Sequence, residues 1–84
     1  MTSLEELRTQ LSDVDDQITD LYEKRMKICE DLGTCKIKNG YKTFDRQREK
    51  NKIAEVMGKV SSDFNKKGIG EVYELLLAIS RKLQ

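Results

Sequence analysis

The chain has 84 residues, of which 37% are hydrophobic and 37% charged, and its formal net charge is +1. A chain this short is a single domain, residues 1–84, and so little apolar content makes a thin core for one copy alone. The near-neutral balance argues against a general nucleic-acid or membrane-surface role, and no apolar run is long enough for a signal peptide or a membrane span.

Helix one opens the chain. Ser3 is placed to cap it, with Glu6 three residues later as a capping box. From Leu4 to Cys35 apolar residues recur at alternating spacings of three and four: Leu4, Leu7, Leu11, Val14, Ile18, Leu21, Ile28, Leu32 and Cys35. The slot due between Leu21 and Ile28 holds Arg25, so a guanidinium interrupts a hydrophobic seam. Lys36 follows about three turns later on nearly the same face. Such a seam either receives an anion or is paired internally. Gly33, inside the helix, makes room for close packing or for a ligand one turn before Lys36. Cys29 and Cys35 lie about 9 Å apart along the axis and on different faces, too far to bond, and read as reduced residues of a cytoplasmic protein.

The helix is predicted to run to about Lys38, where Asn39-Gly40 stops it. It would then span about 50 Å, against a radius of gyration of about 12 Å for a compact chain of this length. Its seam therefore needs another cover, and the simplest is a second copy of itself. This mismatch predicts a homodimer.

Residues 39 to 44 form a connection. Asp45 caps helix two, predicted to reach about Phe64 with a stripe of Ile53, Val56, Met57, Val60 and Phe64. Extended backwards, that stripe meets Glu49 and Asp45, with Arg48 on an adjoining face. Asn65 to Gly70 reads as a loop, and helix three as beginning near Gly70. Its apolar face uses Val72, Tyr73, Leu76, Leu77, Ile79 and Leu83, and Ser80 and Gln84 stack on that side. The fold class is all-α, three helices with no repeats.

Histidine is absent, there is no Cys-x-x-Cys, and the five glycines never form GxGxxG. A transition-metal site, a histidine triad and a glycine-rich phosphate loop therefore have no support. Each helix nevertheless carries polar groups where its pattern calls for apolar ones: Arg25 and Lys36, then Asp45, Arg48 and Glu49, then Ser80 and Gln84. Singly, each has a plain explanation: a snorkelling arginine, a solvated lysine, a cap, an Arg48–Glu49 surface pair, a frayed end.

In order, Leu4-x-x-Leu7-Arg8, Val14-Asp15, Lys24-Arg25-Met26, Gly33-x-x-Lys36, Asp45-x-x-Arg48-Glu49 and Ser80-x-x-x-Gln84 resemble the all-helical chorismate mutase family over essentially the whole chain. One departure is Gly68-Ile69-Gly70, where many members carry Asp-Pro before helix three. The resemblance implies an intertwined homodimer of three-helix chains that rearranges chorismate to prephenate, a step of phenylalanine and tyrosine biosynthesis. It implies no cofactor, no metal and no covalent intermediate. By position, Arg25 and Arg8 would bind the two substrate carboxylates, and Lys36 and Gln84 the ether oxygen. Asp45, Glu49 and Ser80 would surround the ring hydroxyl, and Arg48 would hold that wall and the ring carboxylate. Two other readings stand beside it: an isochorismate pyruvate lyase of the same fold, and a non-catalytic helical dimerisation or regulatory module.

Spacing bears on one of these roles. Arg8 and Arg25 are about 25 Å apart along one helix and on different faces, so they cannot grip one small molecule from the same chain. In an antiparallel pair of helices centred near residue 20, residue 8 of one copy lies opposite about residue 32 of the other. Arg8, if it acts, acts across the dimer. The residue inventory also suits the reaction: a pericyclic step needs a dianion held in its reactive conformer and donors at an oxygen gaining charge, and no nucleophile or base.

Overall fold

The computed structural model describes residues 3–40 and 45–83, the Lys36 side chain excepted. Three helices make up the regular structure: α1 (Leu4–Asn39), α2 (Arg46–Gly58) and α3 (Asp63–Arg81). Among the described residues no strand occurs and no helix is long and apolar enough to cross a membrane.

The predicted limits of α1 hold. The Ser3 hydroxyl accepts from the Glu6 N–H at 3.1 Å and satisfies one of the orphan donors of the first turn. At the other end Gly40 adopts φ 74°, the left-handed conformation that glycine takes without a Cβ penalty. The helix is 36 residues long, and at about 1.5 Å per residue it accounts for the 57 Å long axis of the molecule. The radius of gyration is accordingly 16.2 Å, well above the value of about 12 Å for a compact chain.

Asp45 caps α2 as expected: its backbone is extended and its carboxylate accepts from the Arg48 N–H at 3.1 Å. The junction of α2 and α3 differs from the expectation. The periodicity carries helix two to Phe64 and leaves 65 to 70 as a loop; instead α2 stops at Gly58, and Ser62 caps α3 by accepting from the Asn65 N–H at 3.0 Å. The serine oxygen offers the backbone a turn where the apolar pattern alone suggests helix. Phe64, expected in the stripe, is 86% exposed.

Gly68 and Gly70 therefore lie inside α3, against their low helix propensity. For Gly70 the reason is packing. It is buried, and a Cβ on it would stand 3.2 Å from the Met57 Sδ and 3.5 Å from its Cγ. The missing side chain lets α3 approach α2, and the two helices form a hairpin. Gly68 has nothing within 4 Å of a would-be Cβ.

Among the described residues the backbone of the long helix comes close to this hairpin at α3, and α1 and α2 make no close backbone approach to each other. The buried apolar residues are Cys29, Val56 and Leu77. The seam of α1 is uncovered along Leu4, Leu7, Leu11, Val14, Ile18 and Leu21, all about half exposed or more.

The two glycines should respond differently to alanine. Gly68→Ala is expected to stabilise the fold by about 0.5–1 kcal/mol, because it removes backbone freedom from the unfolded chain and meets no neighbour. Gly70→Ala is expected to gain clearly less or to destabilise, because Met57 must give way. Urea midpoints at equal m-value measure both, and equal stabilisation would refute the packing role of Gly70.

Candidate active site

Arg25 is at the point where α1 crosses α3. Cys29, one turn on, shares its face of α1, and the Arg25 Nη1 lies 3.5 Å from the Cys29 Sγ. The same nitrogen donates to the Ser80 Oγ at 2.7 Å. Ser80 is the most deeply buried polar residue, 2% exposed. Its own proton goes to the Leu76 carbonyl, also at 2.7 Å, one turn back in α3. The hydroxyl is thus used in both directions and fixes the guanidinium. The Tyr73 ring adds a face 5.8 Å from the Arg25 Cζ, within cation–π range.

Two alternatives stood open for this arginine, an internal ion pair or a place for an anion. Among the described residues Arg25 forms no ion pair; its partners are a hydroxyl, a thiol and a ring. These orient the charge and leave it unneutralised.

The second wall comes from α2. Asp45, Arg48, Glu49 and Lys52 occupy spacings of three, four and seven along the helix and share one face. That face looks across the space between α1 and α2. Together with Arg25, Cys29 and Leu32 of α1 and Leu77 and Ser80 of α3, it lines a cleft of about 150 Å³. The space exists because α1 and α2 do not pack together: α3 forms the floor and the two other helices form the sides.

The charges around this cleft are uneven in their pairing. Glu49 is engaged by the Arg81 Nε at 3.7 Å, which replaces the expected Arg48–Glu49 pair and ties α2 to α3. The Asp45 carboxylate is occupied as a cap. The Lys52 Nζ reaches Glu55 at 3.0 Å. The Arg48 guanidinium, like that of Arg25, enters no ion pair among the described residues. Two arginines without carboxylate partners among the described residues, on opposite sides of a small cleft, are an arrangement that could receive a small anion with more than one negative group.

Of the eight residues singled out in the sequence, Arg25, Asp45, Arg48, Glu49 and Ser80 come together here. Arg8 does not: it is exposed near the start of α1 and remote from the cleft of its own chain. The Lys36 side chain and Gln84 lie outside the described residues. Cys29, Leu32, Lys52 and Leu77 line the cleft without having been singled out. For Lys52 a signal was present, since it continues the 45, 48, 49 spacing by one more turn. Arg81 had none, because its value depends on where α3 lies against α2. Both Cys29 and Cys35 are free thiols.

Ser80→Ala tests the clasp. It removes a buried oxygen that accepts from Arg25, and the open cleft lets water replace part of that contact. The expected cost is about 1 kcal/mol, seen as a lower urea midpoint, and no change would mean that the Arg25–Ser80 bond does not hold α1 to α3.

Comparison with known proteins agrees with the geometry. No curated protein and no solved structure matches the chain. The family model described as chorismate mutase type II matches residues 7–84, nearly the whole length. The match and the three-helix architecture place this chain in the chorismate mutase type II family, to which it belongs.

Proposed function

We propose that the chain is a chorismate mutase, which rearranges chorismate to prephenate in the route to phenylalanine and tyrosine, and that it works as an intertwined homodimer with two shared sites. The observation that carries the reading is the pair of arginines, Arg25 and Arg48, facing one cleft with no carboxylate partner among the described residues. Family membership supplies the substrate class: chorismate is a dianion, and two guanidinium groups on one cleft suit its two carboxylates. The two free cysteines suit a cytoplasmic setting.

In the reaction one C–O bond breaks and one C–C bond forms within a single molecule. No proton moves and nothing is added. The work of the protein is to hold the substrate with its reacting ends together. Arg25, immobilised by Ser80 and Tyr73, is suited to bind one carboxylate. Arg48 is suited to the ring carboxylate, and Asp45 and Glu49 are acceptors for the ring hydroxyl. As the ether bond lengthens, its oxygen gains negative charge. Lys36 and Gln84 are assigned as the donors that meet it, a contribution that grows toward the transition state and so lowers the barrier.

The dimer follows from the uncovered seam of α1. The half-exposed leucines and valine from Leu4 to Leu21 form a stripe longer than anything the chain can lay over it. A second α1 run antiparallel about residue 20 would cover that stripe. It would also bring Arg8 of the second copy opposite Leu32, which lines the cleft. The site would then gain a third arginine to close it over the substrate. The same stripe would serve a purely structural dimerisation module, and the unpaired arginines are what such a module leaves unexplained.

Purified protein should consume chorismate, followed as loss of its absorbance, and form prephenate. Parallel assay with isochorismate separates a mutase from a pyruvate lyase, and a protein inactive on both would be a module. Sedimentation at micromolar concentration should return twice the 9.7 kDa chain mass; a stable, folded single chain would overturn the dimer. Arg8→Ala and Arg25→Ala should each lose about 100-fold or more in kcat/KM. Mixed in equal amounts and allowed to exchange, they should recover about a quarter of the parent activity, since half the dimers would hold one intact site of two. Confirmed exchange with no recovery would exclude shared sites.

A further inference from the structure

The α2 wall of the cleft ends in a cation whose place the proposed mechanism does not use. Lys52 lies seven residues after Asp45 and one turn beyond Arg48 and Glu49, on the face that lines the cleft. Its side chain is 43% exposed, at the mouth and not the floor, and its Nζ is 3.0 Å from the Glu55 Oε2. Glu55 is not committed to Lys52 alone. Its other oxygen, Oε1, is 3.2 Å from the Lys59 Nζ. Hydrogen bonds from Lys52 and Lys59, with the charges of both, hold the Glu55 carboxyl below the usual carboxylate range. Two lysines thus share one carboxylate at the rim.

We propose that Lys52 is a substrate-binding residue of the cleft, an exchangeable cation that leaves Glu55 for a carboxylate of the entering dianion while Lys59 keeps Glu55 paired. The inference rests on the mutase reading and adds a fifth residue of α1 and α2 that would bind the substrate through charge, beside Arg25, Lys36, Arg48 and Arg8 of the second copy.

Three physical points carry it. The ammonium is on a flexible four-carbon stem and retargets by rotation, without backbone movement. The pair it leaves is solvent-exposed and is therefore weak, so breaking it costs little. The carboxylate left behind still has Lys59, so no lone negative charge is left at the mouth to repel the substrate. Of the charged residues that line the cleft, the cations Arg25, Arg48 and Lys52 outnumber the acids Asp45 and Glu49, so an approaching dianion meets a net positive charge.

Steady-state kinetics on chorismate with the full dimeric protein test the proposal. Lys52→Met keeps the length of the side chain and removes its charge. It is expected to raise KM about three- to tenfold at low ionic strength and to leave kcat within about twofold, the pattern of lost uniform binding. The increase should shrink as added salt shortens the Debye length to a few ångströms. Lys52→Arg should restore the parent KM, and Glu55→Gln, which releases Lys52, should give a KM at or below it. Lys52→Gln serves in place of Lys52→Met if that variant melts below the assay temperature. An active parent with an unchanged KM in Lys52→Met overturns the role of Lys52 alone. So does an increase that salt does not reduce and arginine does not rescue, because that is the signature of altered packing. A parent that turns over no chorismate overturns the mutase reading, and the role of Lys52 with it.

Discussion

A guanidinium nitrogen of Arg25 sits 2.7 Å from the hydroxyl of Ser80, and the arrangement of the molecule depends on that contact. Among the described residues the backbone of the long helix comes close to the α2–α3 hairpin at α3, and Arg25 and Ser80 are at the crossing. The apolar support around them is small, with Cys29 and Leu77 as the buried neighbours. The hydroxyl spends both its donor and its acceptor capacity inside the protein, so the arginine beside it is oriented without being neutralised. Stability and site therefore share one element.

The cleft is the consequence. The four-residue spacer between α2 and α3, with the close approach allowed by Gly70, sets α2 beside α3. With α1 on the other side of α3, the remaining gap lies between α1 and α2, and Arg25, Asp45, Arg48 and Glu49, which interrupt the apolar patterns of those two helices, line it. Charge is then distributed by pairing. Arg81 takes Glu49, the first turn of α2 takes Asp45, and Glu55 takes Lys52. Arg25 and Arg48 are left without an ion pair among the described residues. Arg25 is partly withdrawn from water with no carboxylate beside it among the described residues, an arrangement that costs the fold stability and is a reason to look for its function in binding.

The same economy explains the exposed half of α1. A chain of this size cannot bury a helix of 36 residues in its own core. Leu4 to Leu21 form a continuous apolar surface on an otherwise charged molecule. In the proposed dimer a second copy would cover that surface, and Arg8, exposed and remote from the cleft of its own chain, would reach the cleft of the other.

The sequence by itself determined the long helix and its limits, because a capping serine, a three-and-four apolar repeat and a terminal Asn-Gly are local signals that need no partner. It also determined that Arg25, Asp45, Arg48, Glu49 and Ser80 were out of place on apolar faces, since a polar interruption is visible in one dimension. Where α2 ends and α3 begins was settled by a local cap that competes with the apolar pattern, and tertiary packing accounts for the helical Gly70. The stripe from Ile53 continues through Val60 to Phe64 in the sequence, but Ser62 captures the Asn65 amide, and Gly70 is helical because Met57 packs where its side chain would be. Propensity is local, and that contact is between helices. Tertiary packing also decided which charges are paired. Arg48 and Glu49 are neighbours in the chain, yet Glu49 turns to Arg81 across the hairpin, and this is what leaves Arg48 to the cleft. Adjacency in sequence fixes which face a side chain is on, whereas its partner depends on what the other helices bring within about 4 Å, and only their packing sets that.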